Sequence, residues 1–147
     1  ALSLTYLAAI LADSGDLGAA SESARRALDL LDDKAPTRAL SLAILASIHL
    51  ADGACDRALE RAGEAMLLLE TLGGLEEGEA LVRLVSAEAL VAAGDIAAAR
   101  EAIGTAVRRL DARAAVITDP AARSSFLEHV RENARTRALH RALDDAR

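Results

Sequence analysis

The sequence predicts an all-helical chain of three antiparallel helical hairpins, closed at its C-terminal end by shorter capping helices. Three observations carry this expectation. Alanine and leucine dominate: there are 36 alanines in 147 residues, and Tyr6 and Phe126 are the only aromatics. These are the strongest helix formers, whereas the β-branched and aromatic residues that fill strands are sparse. Proline occurs only at Pro36 and Pro120, so long stretches run without the ring that breaks a helix. Finally, one pattern of small residues recurs three times around a glycine.

That pattern sets the elements in order. Gly15-Asp16-Leu17 is followed by Ala20, Ala24 and Ala27; Gly53-Ala54-Cys55 by Ala58, Ala62 and Ala65; Gly94-Asp95-Ile96 by Ala99, Ile103 and Ala106. The small or apolar residues lie five, nine and twelve places after each glycine, one stripe on a helical face. Another small residue stands seven places before it, at Ala8, Ala46 and Ala87, and the glycines are 38 and 41 residues apart. A turn glycine tolerates the left-handed backbone that ends a helix, and small residues on facing sides let two helices approach closely. The first hairpin is expected over residues 1–35 with helices at about 2–13 and 17–32. The second covers 36–74, with helices at 37–51 and 55–72, and the third 75–117, with helices at 77–93 and 96–117. Asp32-Asp33-Lys34-Ala35-Pro36 and Gly73-Gly74-Leu75 supply helix-stop chemistry between them. Thr118-Asp119-Pro120 offers a cap followed by proline at a first helical position. A short helix is therefore expected to about Val130, and a last one from about Asn133 to Leu143, so that residues 118–147 cap the stack. No hairpin buries its apolar face alone, so the units must pack on one another.

From Gly15-Asp16 through Leu28, with echoes at Gly53 and Gly94, the chain resembles the tetratricopeptide (TPR) repeat in a longer form of about 40 residues, over residues 1 to about 117. The large aromatics of the consensus are absent, which favours the divergent longer type. The tail Ile117-Thr118-Asp119-Pro120-Ala121-Ala122-Arg123-Ser124-Ser125-Phe126-Leu127, continued by Glu132-Asn133-Ala134-Arg135-Thr136, resembles the extreme C-terminal end of large bacterial regulators. In those, a protein kinase or a signalling ATPase precedes a tetratricopeptide array. The resemblance implies a right-handed α-solenoid that acts in signal transduction as a sensory or scaffolding segment. The opening Ala1-Leu2-Ser3, inside a helix already under way, reads as part of a longer protein, and sixteen arginines against Lys34 point to GC-rich bacterial coding DNA.

Composition narrows the function. A net charge of −6 opposes a nucleic-acid role, since nonspecific affinity comes from cations that displace counterions. No run reaches the roughly 18 apolar residues of a membrane span, and a cytoplasmic protein is expected. His49, His129 and His140 are far apart and lack an acid or nucleophile arrangement; His49 occupies the repeat position held elsewhere by Leu11 and Leu90. Cys55 sits beside Asp52 and Asp56, whose charge disfavours a thiolate. Acidic groups at Asp56, Glu60 and Glu64, and at Glu76, Glu77 and Glu79, read as solvated faces, with Arg57 and Arg61 offering ion pairs. Phosphate-loop and zinc-ligand spacings are missing, so no catalytic residue, cofactor or metal is expected. Residues 121–147 carry six arginines against four acids; these cations are expected to pair with the acidic body or with a partner.

In the fold that the resemblance implies, the first helix of each hairpin lines a concave surface. The positions thirteen, ten, six and three places before the turn glycine would point into it. They are Leu2, Thr5, Ala9 and Ala12; Leu40, Ala43, Ser47 and Leu50; Leu81, Leu84, Glu88 and Val91. This surface is mainly apolar and lacks the lysine, arginine and asparagine of a clamp for a chaperone C-terminus. The partner expected is protein: an amphipathic helix or apolar segment, with Glu88 meeting one cation. Three competing expectations stand beside it. The groove is filled by the capping helices, by neighbouring repeats or by self-association; the chain is an intramolecular module restraining an upstream kinase or ATPase; or it is an enzyme of unrecognised type.

Overall fold

The computed structural model describes residues 1–146, and among the described residues the chain is helix and turn without strand. The helices are α1 (Leu2–Asp13), α2 (Leu17–Asp29), α3 (Pro36–Ala51), α4 (Cys55–Leu72), α5 (Glu79–Ala92), α6 (Ile96–Ala115), α7 (Pro120–Glu128) and α8 (Arg131–Asp145). Among the described residues no helix is long and apolar enough to cross a membrane. The pairs α1–α2, α3–α4 and α5–α6 pack together, and each next helix packs on the pair before it.

The three turn glycines lie at φ +89°, +74° and +83° for Gly15, Gly53 and Gly94. Each closes the same cap. The amide after the glycine donates to the carbonyl five residues back, Asp16 to Leu11 and Asp95 to Leu90 at 3.0 Å and Ala54 to His49 at 2.8 Å. Each glycine N–H donates to the carbonyl three residues back. The residue after the glycine then caps the returning helix. Asp16 accepts from the Ala19 N–H at 3.0 Å and Asp95 from the Ala98 N–H at 3.1 Å. Ala54 holds the same backbone angles, φ −85° and ψ 66° against −82° and 73° at Asp16, but has no side chain to offer. Ala54→Asn should therefore stabilise the chain by about 1 kcal/mol, read as a higher urea midpoint at unchanged slope. No gain would mean that the first turn of α4 does not need a cap.

α2 ends three residues earlier than the sequence suggested, at Asp29, where the Arg38 guanidinium donates to the carbonyls of Leu28 (3.0 Å) and Leu31 (3.3 Å). α5 starts two residues later, at Glu79, after Gly78 in the left-handed region at φ +86°. α7 begins as expected, with Asp119 accepting from the Ala122 N–H at 2.8 Å and Pro120 at the first helical position.

Packing between hairpins repeats one interface. The row Leu40, Ile44, Leu45 and Ile48 of α3 packs on Ala8, Ala20 and Ala24 of the first hairpin. One unit later, Leu81, Val85 and Ala89 of α5 pack on Ala46, Ala58 and Ala62, the equivalents of those alanines in the repeat register. On the third hairpin Ala87, Ala99 and Ile103 receive Leu139 and Leu143 of α8. Ala27, Ala65 and Ala106 are buried on the same stripe. The alanines that define the repeat are thus interior, while the turn glycines are exposed.

Candidate functional site

The surface assigned to partner binding is narrower than the sequence suggested. Of the residues assigned to it, Leu40, Ala43 and Leu84 are core residues, at 7%, 0% and 0% exposure. A covering element explains each. The link between the second and third hairpins lies over the N-terminal half of α3. Leu75 packs with Ala43, and Gly78 approaches so closely that a Cβ there would stand 2.9 Å from Leu40 Cδ1. Leu84 and Val91 join the cluster that α8 completes with Leu139 and Leu143. Thr5 is buried too, bonded to Ser41 at 2.8 Å. Leu50 packs half-buried on the α4–α5 cluster, and Leu2 is exposed on α1.

An open cleft of about 400 Å³ remains. Ala9 and Ala12 of α1, Ile44, Ser47, Ile48 and Ala51 of α3, and Leu81 of α5 line it. Its rim is charged, with Asp13 at the end of α1 and Arg131, Glu132 and Arg135 at the start of α8. Within the assigned groove, then, Ser47, Leu81, Ala9 and Ala12 meet in one place and the rest do not. The rim is tied across the cleft. Arg131 pairs with Asp13, 118 residues away. Arg135 grips both carboxylate oxygens of Glu88 at 2.6 and 2.8 Å. Glu88 does meet a cation, but its own chain supplies it. These two contacts join tail arginines to the acidic body; Arg147 lies outside the described residues.

Glu79 corrects a second expectation. It is 6% exposed rather than solvated. Its Oε1 accepts from Arg83 Nε (2.9 Å) and Arg109 Nε (2.8 Å), and its Oε2 from the Leu75 N–H (3.2 Å). Burial alone would raise its pKa, but these three donors outweigh burial and hold the carboxyl below its ordinary range. Beside it, Glu77 accepts from the Tyr6 hydroxyl, which raises the tyrosine pKa chiefly through that bond. The sequence signal for Glu79 was an i, i+4 Glu–Arg pair directly after a glycine; Arg109 lies 30 residues further on.

On the other side of α3, His49 is 7% exposed at the base of a second cleft. Arg25, Arg38, Arg57 and Arg61 surround it. Arg61 makes the expected ion pairs, with Glu64 at 2.8 Å and Glu60 at 3.6 Å, while Arg57 makes none among the described residues. Cys55 is half-buried at the start of α4.

No protein-family model matches the chain, and no curated protein is detectably similar to it.

Proposed function

We propose that the chain is a protein-interaction module, a short right-handed solenoid of TPR-like hairpins that docks helical partners. The observation that carries this reading is an unpaired copy of the repeating interface. Leu2, Tyr6, Leu7 and Ile10 stand in the repeat register of Leu40, Ile44, Leu45 and Ile48. They are 46%, 40%, 43% and 66% exposed, whereas their counterparts are buried on the preceding hairpin. A contiguous apolar row of this kind marks an interaction surface, and its shape suits a helical hairpin that presents alanines spaced like Ala8, Ala20 and Ala24. Such a hairpin can come from a partner protein or from the same polypeptide. The second source is the intramolecular regulatory reading, for which the tail's likeness to bacterial kinase- and ATPase-linked regulators supplies the setting.

A chain extended at its start by an in-register copy of residues 1–38 tests the row. The added hairpin should raise stability by about 2 kcal/mol through buried apolar area and protect the Leu7 and Ile10 amides from exchange. Leu7→Lys with Ile10→Lys should remove both effects. An extension that leaves stability and exchange unchanged would show that the row is no docking surface. The open cleft favours a second mode, an extended segment laid between Ala12 and Ser47. Ala12→Glu with Ser47→Glu should block that mode while leaving the extended chain's gain intact.

A further inference from the structure

The second cleft, bounded by α2, α3 and α4, has a volume of about 570 Å³, within the range of small-molecule sites. Leu28, Leu45 and His49 line its base, and four arginines stand around it against two carboxylates, Asp29 and Glu60. In a chain of net charge −6 this is a local reversal of sign, and beyond about 10 Å the acidic remainder is screened. Two of the four are committed: Arg38 to the end of α2 and Arg61 to Glu64. Arg25 and Arg57 are exposed and take part in no hydrogen bond or ion pair among the described residues. The His49 imidazole, nine-tenths buried and turned to the same cleft, has no hydrogen-bond partner either. The equivalent positions, Leu11 and Leu90, hold an apolar side chain. Among the described residues no side-chain nitrogen or oxygen is both sealed from solvent and without a partner, so the imidazole's unbonded ring nitrogens open to the cleft.

We propose that this cleft is a binding site for a small polyphosphate anion, held by the Arg25 and Arg57 guanidiniums and by an N–H of His49. Guanidinium forks match phosphate oxygens in pairs. Two uncommitted forks on different helices, α2 and α4, with a donor between them, suit an anion with more than one phosphoryl group better than a single carboxylate. The charges around His49 are Arg25 and Asp29 from α2, Arg38 and Asp52 from α3 and its turn, and Arg57, Glu60 and Arg61 from α4. Burial first, then Arg25, Arg57 and Arg61, hold the imidazole below its ordinary value of 6.5, with Asp52 opposing them. An anion among these groups offsets the arginine charge and raises the histidine pKa, so binding takes up a proton at His49, and this contribution to affinity grows as pH falls.

The whole chain titrated with inorganic pyrophosphate, followed by heat and by the His49 ring resonances, tests the site. One saturable site is expected, with a shift at His49 and about tenfold or greater loss of affinity in the Arg25→Ala, Arg57→Ala double variant. Neither side chain holds the fold together. His49→Leu, which installs the residue of the equivalent positions, should fold at least as well and lose the proton uptake on binding that exceeds pyrophosphate's own. Adenosine diphosphate in a second arm separates the sources: tighter binding than pyrophosphate identifies a nucleotide, equal or weaker binding a free phosphate chain. The proposal is overturned by unsaturable pyrophosphate binding, by undiminished affinity in the double variant, or by citrate binding as tightly as pyrophosphate.

Discussion

Replacing Leu84 with aspartate is expected to unfold the chain at neutral pH. The side chain is fully buried at the centre of the cluster that α8 completes. Truncating such a leucine costs about 2–5 kcal/mol, and an unpaired carboxylate in the same space adds its own desolvation penalty. The total exceeds about 4 kcal/mol, a large part of the 5–15 kcal/mol that separates a typical native domain from its unfolded state. Far-UV circular dichroism should show helicity lost or a melt at much lower temperature. Ala12→Glu, on the cleft wall, should melt cooperatively close to the parent chain. If Leu84→Asp stays as stable as Ala12→Glu, α8 does not cover this position, and the groove runs open across the third hairpin.

That contrast separates what a periodic sequence shows from what it hides. The positions three, six, ten and thirteen before each glycine do share one side of the helix, because their spacing follows the 3.6-residue period. Depth along the helix is another matter. Ser47, near the C-terminal end of α3, opens to the cleft, while Leu40 and Ala43, nearer its start, lie under Gly78 and Leu75. The covering residues belong to a link without period, whose path depends on the left-handed backbone of three glycines, Gly73, Gly74 and Gly78. The turns were legible because the requirement is local, a glycine free to take positive φ at the end of each first helix. The aspartate caps at Asp16 and Asp95 are equally local, but the second turn has Ala54 in their place. Boundaries missed where a distant side chain intervenes, as Arg38 does at the end of α2. The tail arginines were expected to seek the acidic body; that Arg135 would take Glu88 depends on how α8 lies against α5, which no local pattern records.

Glu79→Ala should cost about 3 kcal/mol at neutral pH, and the difference from the parent chain should shrink in acid. One buried carboxylate here fastens three segments: its own helix through Arg83, α6 through Arg109, and the inter-hairpin link through the Leu75 N–H. Removing it leaves the mostly buried Arg83 head without its partner and a buried amide unsatisfied. Breaking a buried pair this way costs about 3–5 kcal/mol, and the lower end applies because Arg109 is half exposed and regains water. Glu79→Gln should fall between. Its amide presents one oxygen, so its NH₂ must face either the Leu75 N–H or the two guanidiniums, and about 2 kcal/mol is expected. The carboxyl's folded pKa lies below its ordinary value of 4.5, so the unfolded chain binds more protons across that interval. The stabilisation is complete above 4.5 and is lost as pH falls through the folded value. Urea titrations of parent and variant at a series of pH values between about 7 and 2 measure the gap. A gap independent of pH would mean that the carboxylate's charge contributes nothing and that Glu79 acts by packing alone.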